Sequence, residues 1–156
     1  MQAFMQSLCA SGLASRFILE VTEDAFVATT HFQANIVPIL RNAGVRISID
    51  DFGTGYSSLA ALTDIAVDEV KIDRSFITNI HRRPRSQGAL KAIESLSDAL
   101  GVTMVAEGVA AIEELVFLRS ATNIRYAQGY YFAKPLKVST SPRRQWSMVA
   151  TLRLHE

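Results

Sequence analysis

The chain has 156 residues, 49% hydrophobic and 20% charged, the balance of an ordinary globular domain with room for a proper core. A formal net charge of +1 gives no electrostatic reason to expect DNA, RNA or a membrane surface as a partner. The single cysteine, Cys9, rules out an internal disulfide and a cysteine-based zinc site; with no signal peptide and no bilayer-length apolar run, the expected location is the cytoplasm.

Met1 to Ser15 reads as a helix with Phe4, Met5 and Leu8 on one side, ended by Gly12. Phe17-Ile18-Leu19-Glu20-Val21-Thr22 reads as a strand with Glu20 on the face opposite Phe17, Leu19 and Val21. A helix capped by Thr22 or Asp24 follows, carrying Phe32, Ile36, Ile39 and Leu40 at helical spacing and stopping at Gly44. Pro38 lies inside it and should kink it or restart it there.

Val45-Arg46-Ile47-Ser48-Ile49 alternates with period two and runs into Asp50-Asp51-Phe52-Gly53-Thr54-Gly55-Tyr56-Ser57-Ser58-Leu59. The chain is organised around this stretch. Gly53 and Gly55 let the backbone turn tightly or approach a bound group, and adjacent acids at a strand end suit a hard, oxygen-seeking divalent cation. The plainer alternative is that Asp50-Asp51 only opens a solvated turn.

A short helix near Ser58–Leu62 leads to the alternating strand Val67-Asp68-Glu69-Val70-Lys71-Ile72-Asp73. His81-Arg82-Arg83-Pro84-Arg85 reads as a basic, solvated loop, with a phosphate or partner contact as the alternative. Ala89, Leu90, Ile93, Leu96 and Leu100 mark an amphipathic helix ended by Gly101. The strand Val102–Ala106 ends at Glu107-Gly108, and Ile112, Leu115, Val116 and Leu118 mark another helix. A last strand near Tyr126–Phe132 carries Gln128-Gly129, and a helix is expected from Arg144 to Leu154 in the tail.

Strand and helix alternate about five times, which predicts an α/β fold with a parallel sheet. Strand parity then sorts the polar residues. Val45, Ile47 and Ile49 share one face and Asp50 lies on the other with Arg46 and Ser48; Glu107 lies opposite Val102, Met104 and Ala106; Lys71 lies with Glu69, opposite Val70 and Ile72. If helices cover the apolar faces, Glu20, Asp50, Lys71, Glu107 and Gln128 converge at the carboxyl ends of parallel strands, where α/β barrels and open α/β sheets place their ligands. Clustered acids repel one another, so either a bound cation or ion pairing with Lys71 is needed to keep them ionised.

Five motifs now stand in order: Leu19-Glu20-Val21-Thr22-Glu23, Asp50-Asp51-Phe52-Gly53-Thr54-Gly55-Tyr56-Ser57-Ser58-Leu59, Val70-Lys71-Ile72-Asp73, Val105-Ala106-Glu107-Gly108-Val109 and Gln128-Gly129-Tyr130-Tyr131-Phe132. In this order they resemble EAL domains, the bacterial phosphodiesterases that open cyclic di-GMP to linear pGpG, over about residues 1–136. The resemblance implies a TIM-like (β/α) barrel, here incomplete with about five βα units, and a site for two Mg²⁺ or Mn²⁺ ions. It also implies that Glu20, Asp50 and Glu107 are metal ligands, that Asp51 serves the second metal, and that Gln128 reaches the metals through water. Lys71 matches the lysine that holds the attacking water, and Glu107 a base acting on it. Glu23 matches a glutamate that steadies the loop after Asp51, and that loop, Phe52, Gly53, Thr54, Gly55, Tyr56, Ser57 and Ser58, couples substrate, metal and dimer.

Two departures from the family follow. The Glu-Ala-Leu strand that names it does not occur in these 156 residues, and none of Asn35, Asn42, Asn79 and Asn123 lies in a Val-Asn-Leu-type strand. By resemblance the chain carries about the last five of eight barrel strands. An open barrel exposes strand edges, so a homo-oligomer or domain-swapped dimer is expected. The alternative to an enzyme is a catalytically inactive EAL remnant that binds cyclic di-GMP or a protein partner.

Overall fold

A computed structural model describes residues 10, 12–22, 32–54, 67–134, 136–138, 146–148 and 151–154. The chain divides into two compact units, Met1–Lys71 and Ile72–Glu156.

In the first unit, a 3-10 turn at Ala14–Arg16 leads into β1, Ile18–Thr22. Most of the helix expected at the N-terminus, with Phe4, Met5, Leu8 and Cys9, lies outside the described residues, as do Glu23 and Asp24. The next helix changes character where Pro38 stands: Phe32–Ile36 is a π-helix and Val37–Asn42, α1, is a regular α-helix with the proline in its first turn. Pro38 thus restarts the helix, because a first-turn residue has no intrahelical partner for the N–H that proline lacks. Gly44, at φ +88, turns the chain into β2, Arg46–Phe52. β1 and β2 are parallel, with Glu20 opposite Ser48 and Thr22 opposite Asp50. The third strand, β3, spans Glu69–Ile72 and neighbours β2. Ile47, Ser48 and Ile49 are all buried, so β2 is covered on both faces, as parallel strands require.

In the second unit, α2, Arg74–Ile77, follows directly from β3, and a 3-10 turn at Ile80–Arg82 leads into α3, Pro84–Leu100. The basic stretch His81–Arg85 is therefore not an irregular loop. Pro84 opens α3, where its fixed φ is already helical, and the Arg83 guanidinium donates to the carbonyls of Ser75 at 2.5 Å and Thr78 at 3.1 Å. Gly101, at φ +70, closes α3. Then come β4 (Thr103–Ala106), α4 (Ile112–Ala121) and β5 (Tyr126–Gln128), with β4 and β5 parallel.

Two further expectations are corrected by the structure. The last strand stops at Gln128 because Gly129 takes φ +153 and the chain turns, with Phe132 N–H donating to the Gly129 carbonyl at 3.1 Å. Among the described residues the tail is not helical: β6 (Leu136–Val138) pairs antiparallel with β7 (Trp146–Met148), and β8 (Thr151–Arg153) pairs antiparallel with β5. The edge of β5 offers a row of backbone donors and acceptors, and the tail satisfies them better as a strand than as an isolated short helix.

Candidate functional site

The first unit places Glu20 at the middle of β1, Asp50 in β2 and Lys71 in β3 so that their heads meet. Lys71 Nζ lies 3.1 Å from Glu20 Oε2 and 3.1 Å from Asp50 Oδ1. The lysine side chain is only 8% exposed, against 27% for Asp50 and 52% for Glu20, so the ammonium is the sheltered member of the triangle. Burying a charge is costly unless it is paired, and here two carboxylates from two neighbouring strands face it. Nearer the N-terminal end of the same polar face, the buried Ser48 hydroxyl donates to Glu69 Oε1 at 3.0 Å.

Beyond Asp50 the strand ends abruptly. Asp51 adopts φ +55, a left-handed conformation that aspartate tolerates better than most residues, and its carbonyl accepts from Thr54 N at 3.3 Å and Thr54 Oγ1 at 2.9 Å. Gly53, at φ +96, completes this turn, while Phe52 is buried and anchors it. Gly55, Tyr56, Ser57, Ser58 and the short helix expected after them lie outside the described residues.

In the second unit, Glu107 and Gln128 follow the same logic. Glu107 comes directly after β4, its N–H donating to the Ile72 carbonyl at 3.1 Å, and Gln128 ends β5. The Gln128 side-chain amide donates to Glu107 Oε1. Asp73 follows β3 and caps α2, accepting from Ser75 N at 2.9 Å. Partial burial raises the Asp73 pKa, but the hydrogen bonds from Ser75 and Arg74, with the Arg74 charge, outweigh it and hold the carboxyl below its usual value.

Three buried or half-buried acids were not singled out by the sequence. Asp68 accepts from Ile47 N and from Arg41, each at 2.9 Å, and so ties the start of β3 to β2. Glu114 accepts from Asn79 N, Ala110 N and Ala111 N. Glu94 accepts from Asn123 N and, at 2.5 Å, from Lys91. Glu94 had a sequence signal, since it lies with Leu90 and Ser97 on the apolar stripe of its helix. These three do structural work, satisfying backbone N–H groups.

The donor set fits a divalent cation. Asp50 and Asp51 bring carboxylate oxygens, the donors that Mg²⁺ and Mn²⁺ prefer, within 4.8 Å of each other, and Glu20 and Asp50 already hold a positive charge between them.

With this geometry in hand, comparison defines the class of protein: the EAL domain family model matches residues 1–135, and the chain belongs to that family. Among curated proteins it is 43% identical over 130 residues to the cyclic di-GMP phosphodiesterase NbdA of Pseudomonas aeruginosa, covering 83% of this chain and 16% of that protein. Among solved structures it resembles Klebsiella pneumoniae BlrP1 in a manganese and cyclic di-GMP complex (32% identity, TM-score 0.77), covering 96% of this chain and 35% of that one. It also resembles the EAL domain of Mycobacterium smegmatis DcpA (34% identity, TM-score 0.74), covering 87% of this chain and 62% of that one. The fold class is therefore α/β, that of part of a TIM-like barrel, as expected. No described helix is long and apolar enough to cross a membrane.

Proposed function

We propose that this chain forms the catalytic part of an EAL-type phosphodiesterase that hydrolyses cyclic di-GMP to linear pGpG with Mg²⁺ or Mn²⁺. The observation that carries this reading is the sheltered ammonium of Lys71 held by the carboxylates of Glu20 and Asp50, in a chain whose family is established. Glu20, Asp50, Asp51 and Glu107 are the proposed metal ligands, and Gln128 steadies Glu107 through its amide. Lys71 and Glu107 are the proposed catalytic residues. Lys71 brings positive charge to the attacking water and the developing phosphorane oxygens, and Glu107 takes the proton from that water. Divalent ions, when bound, neutralise the phosphodiester and lower the pKa of a coordinated water. Glu23 and the loop Phe52–Ser58 are proposed to link substrate and metal binding. The protein is proposed to act in the cytoplasm as a homo-oligomer or domain-swapped dimer.

A second reading is an inactive module that binds cyclic di-GMP or a protein partner. Incubating the chain with cyclic di-GMP and Mn²⁺ or Mg²⁺ separates the two. Appearance of pGpG, abolished by Glu107→Ala, supports the enzyme; binding of the dinucleotide without cleavage supports the module.

A further inference from the structure

The Glu20–Lys71–Asp50 triangle carries one more inference, which rests on the reading of Glu20 and Asp50 as metal ligands. Glu20 lies opposite Ser48 on the neighbouring strand, two residues before Asp50, so the two carboxylates sit one diagonal step apart on the same face. Like charges at that spacing repel. The Lys71 ammonium, 3.1 Å from each, relieves the repulsion from a third strand. A divalent ion needs the same carboxylate lone pairs, and two cations do not share them without mutual repulsion.

We propose that Lys71 is the resident counter-cation of the Glu20–Asp50 pair, which a divalent ion must displace from at least one of the two carboxylates. Lys71 then has two effects that its proposed part in the reaction does not require. It keeps the strand ends together when no ion is bound, and it sets a threshold on metal affinity.

Titration calorimetry with Mn²⁺ on the full chain tests this, using wild type, Lys71→Met, Lys71→Arg and Asp50→Asn. Lys71→Met, unbranched and similar in shape but neutral, is expected to bind Mn²⁺ at least about tenfold more tightly than wild type, roughly 1.4 kcal/mol. Lys71→Arg keeps the charge and gains nothing, and Asp50→Asn loses binding. Equal or weaker binding by Lys71→Met beside a wild type that binds overturns the proposal and leaves the ligand assignment standing. No binding by wild type or Lys71→Met overturns the ligand assignment, and the proposal with it.

If Lys71→Met does not fold without metal, the side-chain NMR signal of Lys71 in wild type decides. It is expected to shift in step with Mg²⁺ binding. A signal that stays in place while calorimetry records binding overturns the proposal.

Discussion

Gly129 stands directly against the backbone of Val109: a Cβ at position 129 would lie 2.2 Å from the Val109 carbonyl oxygen and 2.4 Å from its nitrogen. The approach is locked by hydrogen bonds on either side, Val109 N to the Gln128 carbonyl at 3.1 Å and Tyr131 N to the Val109 carbonyl at 3.0 Å. Gly129 also takes φ +153, which L-residues avoid. Gly129→Ala must therefore push two backbone segments apart. We expect it to destabilise the chain by about 2–4 kcal/mol, read as a drop in urea midpoint. Because Gln128 precedes the displaced residue, the amide contact to Glu107 should be lost too.

Glu114 is 3% exposed and its carboxylate receives three backbone N–H groups, from Asn79 and Ala110 at 2.8 Å and from Ala111 at 3.1 Å. Glu114→Ala leaves those donors without their acceptor in a buried site, a loss of about 3 kcal/mol or more. Glu114→Gln keeps one acceptor oxygen and should cost about half as much. Thermal unfolding of the two variants checks the order; equal losses would show that packing rather than hydrogen bonding matters at this position.

The Asp73 cap gives a pH-dependent term with a definite sign. Its folded pKa lies below the ordinary aspartate value of 3.8, so its contribution is fully present above that value and is lost as pH falls through the lower, folded pKa. Asp73→Ala should lose about 1 kcal/mol at neutral pH with the cap. Asp73→Asn should keep most of the cap and flatten this part of the acid unfolding curve. Stability measured between pH 2 and pH 6 distinguishes the two, and a wild-type slope retained in Asp73→Asn would assign the term to another acid.

Ser48 is fully buried, and its hydroxyl donates to Glu69 Oε1 at 3.0 Å. Ser48→Ala is expected to cost about 1 kcal/mol with an unchanged denaturant slope. An unchanged midpoint would show that the hydroxyl contributes nothing net.

Much of this was legible in the residues. Period-two runs located the strand containing Glu20, the strand containing Asp50 and the strand containing Lys71, and parity correctly put these three side chains on one face. Pro38 marked a helix restart and Gly101 a helix end. Arg144 to Leu154 has helical composition, but Thr151–Arg153 pairs with a strand more than twenty residues upstream, a partner that local composition does not reveal. The charge and proline of His81–Arg85 look like a loop, whereas Pro84 starts a helix and the Arg83 guanidinium donates to nearby carbonyls.

By itself, the sequence determined the order of the motifs, hence the family, and the alternation that puts acids and lysine on the strands' polar face. Those are local properties, set by neighbours along the chain. Only the tertiary structure decided that Lys71 holds both Glu20 and Asp50, that Glu114 closes the backbone around Asn79, and that Thr151–Arg153 pairs as a strand. Each joins residues far apart in sequence, and such contacts depend on how strands and helices pack, which local periodicity does not encode.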